Sequence, residues 1–142
     1  MDAELKREII MDHYSNPKNR GRIEDPDYIK FNTNNSSCID NLDIYLKIKD
    51  EKIEDIVFDG EACAISISST SIMITNLIGK TIDEAMEYIT NFEAMLNEEE
   101  FNKEILNEAI VYEDIYKQSN RKTCAFLPYK GIKKALEDYK NE

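Results

Sequence analysis

The sequence predicts an α+β fold, with a small three-stranded antiparallel sheet packed against several helices. Three observations carry that expectation. Leu42, Ile44, Leu46 and Ile48 alternate with Asp43, Tyr45, Lys47 and Lys49, the period of a strand with one buried face. A second strand-like stretch, KIEDIVFDG, follows the short turn Asp50-Glu51. Beyond Gly60 alternation stops, and apolar and capped segments of helical length take over. The 142 residues suit one domain with a real core, and no linker, repeat or low-complexity tract divides residues 1–142.

Residues 3–14 (AELKREIIMDHY) predict a helix, with Leu5, Ile9 and His13 at four-residue spacing. Pro17, Gly21 and Pro26 in SNPKNRGRIEDPD stop it and make a loop. Tyr28–Thr33 reads as the first strand, with Ile29 and Phe31 on one face. The hairpin 42–60 supplies the other two, with a bulge expected near Asp55, where the pattern slips. ACAISISSTSIMITNLIG predicts a largely buried helix closed by Gly79 as its C-cap. Thr81 and Glu84 form a capping box for the next helix, whose apolar residues are Ile82, Ala85, Met86 and Ile89. A polar, acidic helical stretch from about Glu98 to Tyr116 and a last helix to about Tyr139 complete the chain.

The formal net charge of −11 argues against a nucleic-acid partner, because a phosphate backbone repels such a surface. From Glu93 to Asp114 there are eight acids and one base, read as a solvated helix face, while 117–142 holds seven bases and three acids. No apolar run spans a bilayer, and MDAELKREII lacks the apolar centre of a signal peptide, so the expected location is cytoplasmic, without a membrane partner.

In that setting Cys38, Cys63 and Cys124 read as reduced thiols, buried or metal-bound. Cys38 and Asp40 sit at i and i+2, so in extended backbone both point one way and could reach one ion. Cys63 enters the buried helix, where the partial positive charge of the N-terminus favours a thiolate. Cys124 precedes Pro128 by four residues. Pro128 would delete the hydrogen bond to its carbonyl inside a helix, so a loop–helix junction is expected there. Three thiolates and one carboxylate are a feasible tetrahedral zinc set, and Arg121 and Lys122 could offset its negative charge. The alternative stays open. No CxxC pair exists, 24 and 60 residues separate the cysteines, and free cysteine often serves as a small buried hydrophobe. His13, the single histidine, is expected to be a packed or hydrogen-bonded residue, and Arg121 could equally be an ordinary surface charge.

Four segments, in order along nearly the whole chain, resemble one family. IIMDHYSNPKNRG is similar to the N-terminal signature of the U-type iron–sulfur cluster assembly proteins, the IscU/SufU family. SSCID stands where that family has cysteine, glycine and aspartate. FDGEACAISISSTSIMI and RKTCAFLPYKGIKKAL resemble its second- and third-cysteine segments. Extra sequence at 93–116, Thr123 in place of the histidine that IscU sets before its third cysteine, and no Leu-Pro-Pro-Val-Lys motif point to the SufU branch.

The resemblance implies a zinc-dependent sulfurtransferase that accepts persulfide sulfur from a PLP-dependent, SufS-like cysteine desulfurase and serves downstream cluster-assembly proteins. Carried over by position, the metal ligands are Cys38, Asp40, Cys63 and Cys124. Cys38 is the sulfur acceptor and Arg121 the arginine that the branch keeps before its third cysteine. The alternative is a scaffold on which the same ligands hold a nascent [2Fe–2S] cluster or iron. Two residues depart from the pattern. Ile39 replaces the family glycine, so the loop is expected to be stiffer or more shielded from water, and Pro128 stands where an ordinary helix residue is expected.

Overall fold

The computed structural model describes residues 1–35 and 39–141; Ser36, Ser37, Cys38 and Glu142 lie outside the described residues. The elements run α1 (Ala3–Ser15), β1 (Ile29–Asn34), β2 (Asn41–Lys49), β3 (Lys52–Glu61), α2 (Ala64–Leu77), α3 (Ile82–Leu96), α4 (Lys103–Leu106), two 3-10 turns (Asn107–Tyr112 and Ile115–Lys117) and α5 (Ser119–Lys140). The three strands pair antiparallel in the order β1-β2-β3, which is the α+β class the sequence predicts.

The hairpin follows its pattern except at Tyr45, which is buried on the face opposite Leu42, Ile44 and Leu46. Asp50 and Glu51 both hold positive φ, 54° and 63°, as a two-residue turn matched to strand twist requires. Lys47 pairs with Asp55 but Ile48 with Ile53, so Glu54 is the extra residue of a bulge one position from the expected site. Leu42, Ile44 and Leu46 are fully buried with Ile53, Ile56 and Phe58, each side chain contributing about 1.5–3 kcal/mol. The loop after α1 covers the outer edge of β3. There the Gly21 N–H donates to the Phe58 carbonyl at 2.8 Å, and the Phe58 N–H to that of Asn19 at 3.1 Å.

Helix α2 is buried without a break from Ile65 to Ile74 and packs against both α1 and α5. Its hydroxyls make that possible, because they are small and every one is paired. Ser68 bonds the Tyr112 hydroxyl at 2.6 Å, Ser69 donates to the Ala125 carbonyl at 2.6 Å, and Thr70 donates to the Ser66 carbonyl at 2.7 Å. Ser71 meets His13 Nδ1 at 2.7 Å and accepts the Lys18 N–H at 2.9 Å, so His13 is the hydrogen-bonded residue expected. The helix stops at Gly79, whose φ of +93° suits only glycine comfortably. Thr81 and Glu84 then form the capping box that starts α3.

The stretch from Glu98 to Tyr116 corrects one expectation. It is not one solvated helix. Asn107 takes a φ of +48° after the four residues of α4, and the chain continues in 3-10 turns. Leu106, Ala109, Val111 and Tyr112 are buried, while Glu98, Glu99, Glu100 and Glu104 before them and Asp114 after them are exposed and Glu108 is half-buried beside His13. Apolar residues spaced irregularly among the acids need this tighter path to reach the core.

Gly60 lies in β3 opposite Leu42, with a φ of +132°, and a Cβ there would sit 2.2 Å from the Asn41 carbonyl oxygen. Gly60→Ala is expected to destabilise the fold by at least about 1–3 kcal/mol through backbone strain. A thermal melt checks this, and an unchanged midpoint would contradict the close approach of β2 and β3.

Candidate metal centre

Asp40 stands just before β2 with only 1% of its surface exposed. Its backbone carbonyl accepts the Asn35 N–H at 3.1 Å, which ties the end of β1 to the start of β2. Its carboxylate is held from two sides. Oδ1 accepts the backbone N–H of Cys63 at 2.7 Å, and Oδ2 accepts the hydroxyl of Ser66 at 2.7 Å. Cys63 is the N-cap of α2, as its place after β3 implies, and uses no side-chain capping bond. Its sulfur is therefore left for other contacts, 3.7 Å from Asp40 Oδ2 and 3.6 Å from Ser66 Oγ.

Cys124 completes the group from α5. One carboxylate oxygen of Asp40 and the sulfurs of Cys63 and Cys124 all lie within 4.8 Å of one another. A tetrahedral zinc with bonds near 2.3 Å to sulfur and 2.1 Å to oxygen has a sulfur–oxygen edge of about 3.6 Å. The 3.7 Å between Cys63 Sγ and Asp40 Oδ2 fits that edge. Electrostatics agree. Burial first, then hydrogen bonding to Cys63 and Asp40 and their negative charge, push the Cys124 thiol far above its ordinary value of 9.0. A cation bound among these groups would oppose that push on Cys124.

Cys124 corrects a second expectation. It lies in the second turn of α5, not at a loop–helix junction, and Pro128 is inside the same helix. The proline does remove the N–H that the Cys124 carbonyl would receive. That carbonyl instead accepts from Ser66 Oγ of α2 at 3.1 Å, so the helix continues through the proline. The cost is met by a side chain 58 residues away, which no local rule can see.

Cys38 falls outside the described residues. Arg121 is exposed, one turn before Cys124, with no side-chain hydrogen bond or ion pair among the described residues. Thr123, standing in the position of the IscU histidine, is also exposed and bonds back to the Ser119 carbonyl at 3.3 Å. Ile39 is 77% exposed, so its side chain is not shielded from water. The residue that sequence reasoning passed over is Ser66. It is fully buried and touches all three members of the group. Its signal was present as Cys63-x-x-Ser66, one turn apart at a helix start.

A buried aspartate and two cysteines, drawn from a loop, a helix N-terminus and a second helix, define a thiol–carboxylate centre on a meander-and-helix scaffold. The family model described as the NifU-like N terminal domain matches residues 5–142, and the chain belongs to that family. It is similar to the zinc-dependent sulfurtransferase SufU of Bacillus subtilis, with 34% identity over 93% of this chain and 89% of that protein. It is also 33% identical to the iron–sulfur cluster assembly scaffold protein IscU of Thermotoga maritima, over 92% and 91% of the two chains. Among solved structures, a crystallised iron–sulfur cluster assembly scaffold protein for the SUF system from Fervidobacterium islandicum matches with a TM-score of 0.86 and 37% identity. That match covers 91% of this chain and 94% of the other.

The raised Cys124 thiol sets a pH dependence for the metal-free chain. Above about pH 9 the unfolded thiol loses its proton while the folded one keeps it, so stability falls as pH rises. Chemical denaturation at a series of alkaline pH values should show a shallower decline in Cys124→Ala than in the parent. Equal slopes would mean that the thiol is not held protonated.

Proposed function

We propose that this chain is a zinc-binding sulfur acceptor in iron–sulfur cluster biogenesis, taking persulfide sulfur from a PLP-dependent cysteine desulfurase. The observation that carries the proposal is the convergence of Asp40, Cys63 and Cys124 within 4.8 Å. The likeness to a SufU that is named a zinc-dependent sulfurtransferase supports it. Asp40, Cys63 and Cys124 would hold the metal, with Cys38, two positions before Asp40, as the fourth ligand. A bound zinc would keep the cysteines as thiolates at neutral pH.

The chain's own residues then divide the work. Cys38 would attack the outer sulfur of the persulfide that the docked desulfurase presents. A new sulfur–sulfur bond forms on Cys38, and the partner's cysteine leaves as a thiolate. Asp40 keeps its place meanwhile, because the Cys63 N–H and the Ser66 hydroxyl fix both of its oxygens. Arg121, exposed one turn before Cys124, would steady the negative charge of the centre. The sulfur next passes to cluster-assembly proteins. We place this exchange in the cytoplasm. Among the described residues no helix is long and apolar enough to cross a membrane.

A second reading has its own support. The Thermotoga maritima relative is named a cluster assembly scaffold, and two thiolates with a carboxylate also suit iron. Anaerobic reconstitution with iron and sulfide separates the two. The transferase is expected to keep zinc and show little stable visible absorption, whereas the scaffold would develop it.

Two variants test the roles. Cys38→Ser is expected to abolish stimulation of the desulfurase, measured as sulfide release, and a normal rate would remove Cys38 as acceptor. Asp40→Ala is expected to weaken zinc retention against a chelator by about 10-fold or more while leaving the Cys38 thiol reactive toward a thiol reagent. Unchanged retention would remove Asp40 from the ligand set.

A further inference from the structure

Ser66 has one hydroxyl proton and two acceptors, Asp40 Oδ2 at 2.7 Å and the Cys124 carbonyl at 3.1 Å. Both acceptors belong to members of the metal centre, one in the loop before β2 and one in α5, while Ser66 sits between them on α2. Pro128 has no N–H to give the Cys124 carbonyl. With any other residue at 128, a helix N–H would share that carbonyl with the Ser66 hydroxyl, since a carbonyl oxygen accepts two bonds. Ser66 is also 3.6 Å from the sulfur of Cys63, its neighbour one turn earlier. One buried side chain therefore touches a carboxylate, a thiol and the backbone of the second thiol.

We infer that Ser66 is the positioning residue of the metal centre and that Pro128 leaves the Cys124 carbonyl to it undivided. Ser66 aims Asp40 Oδ2 at the sulfurs, and its bond to the freed carbonyl sets the depth of Cys124 in α5. A cation held by Asp40, Cys63 and Cys124 would meet a carboxylate already oriented by the Cys63 N–H and the Ser66 hydroxyl. The inference rests on the reading of Asp40, Cys63 and Cys124 as metal ligands.

The test is a double-mutant cycle on Ser66→Ala and Pro128→Ala, with two readouts. Cobalt(II), titrated into the metal-free full chain and competed with a chelator, reports affinity and, through its visible bands, the ligand set. A thermal melt of the metal-free chain reports packing. Ser66→Ala is expected to lower cobalt affinity about 10- to 100-fold and shift the visible bands as Asp40 loosens. It should also lower the melting midpoint, because the Cys124 carbonyl is left unpaired. Adding Pro128→Ala returns an N–H to that carbonyl, so the midpoint should recover in part while the affinity stays low. Parent-like affinity and bands in Ser66→Ala would overturn the inference. So would a double variant whose affinity recovers together with its midpoint, since Ser66 would then be a packing residue only. If the parent chain itself binds no cobalt, the metal-centre reading fails with it, and the two failures remain distinct.

Discussion

Everything near the centre follows from placing one carboxylate and two thiols together in a buried space. Asp40 is almost wholly removed from water, and a lone carboxylate there is costly. Two charge-stabilising donors, the Cys63 N–H and the Ser66 hydroxyl, offset part of that cost. They leave no room for the Cys124 thiol to ionise as well, and its proton is held tightly. The group is a compact set of acids whose chemistry suits a cation.

The scaffold serves that assembly through α2. A helix buried from Ile65 to Ile74 could have been built from large apolar residues, but half of those positions carry hydroxyls. Four of the five join α2 to its surroundings, Ser66 to the Asp40 loop and α5, Ser68 to Tyr112, Ser69 to α5 and Ser71 to α1, while Thr70 bonds within the helix. Their small size lets α1 and α5 approach closely, and their directionality sets how α2 is turned. Cys63 at its start is then aimed by the same bonds. In this way the sheet supplies a fixed end for Asp40, α2 supplies Cys63 and its aligning serine, and α5 supplies Cys124.

What could be read from the residues alone divides along a physical line. Local rules sufficed for the hairpin, the bulge beside Asp55, the Gly79 stop and the Thr81–Glu84 box, because each depends on neighbours in sequence. They also placed Cys63 at a helix N-terminus. They failed at Cys124 because the cost of Pro128 inside α5 is offset by Ser66, which belongs to another element. They failed again at 98–116, where Leu106, Ala109, Val111 and Tyr112 reach the core at spacings that match neither helix nor strand. The joining of Asp40, Cys63 and Cys124 lay beyond spacing altogether. Residue chemistry made the set feasible and the family resemblance singled it out, and the geometry now brings those three together, with Cys38 outside the described residues.

Zinc K-edge X-ray absorption on the purified, metal-loaded chain tests the central claim most directly, since it reports the atoms bonded to the ion. The account predicts a sulfur-dominated shell at about 2.3 Å with a minor oxygen component near 2.1 Å, lost on chelation and rebuilt on adding zinc. A shell of light atoms alone would mean that the buried thiols are packing residues and that Asp40, Cys63 and Cys124 hold no metal.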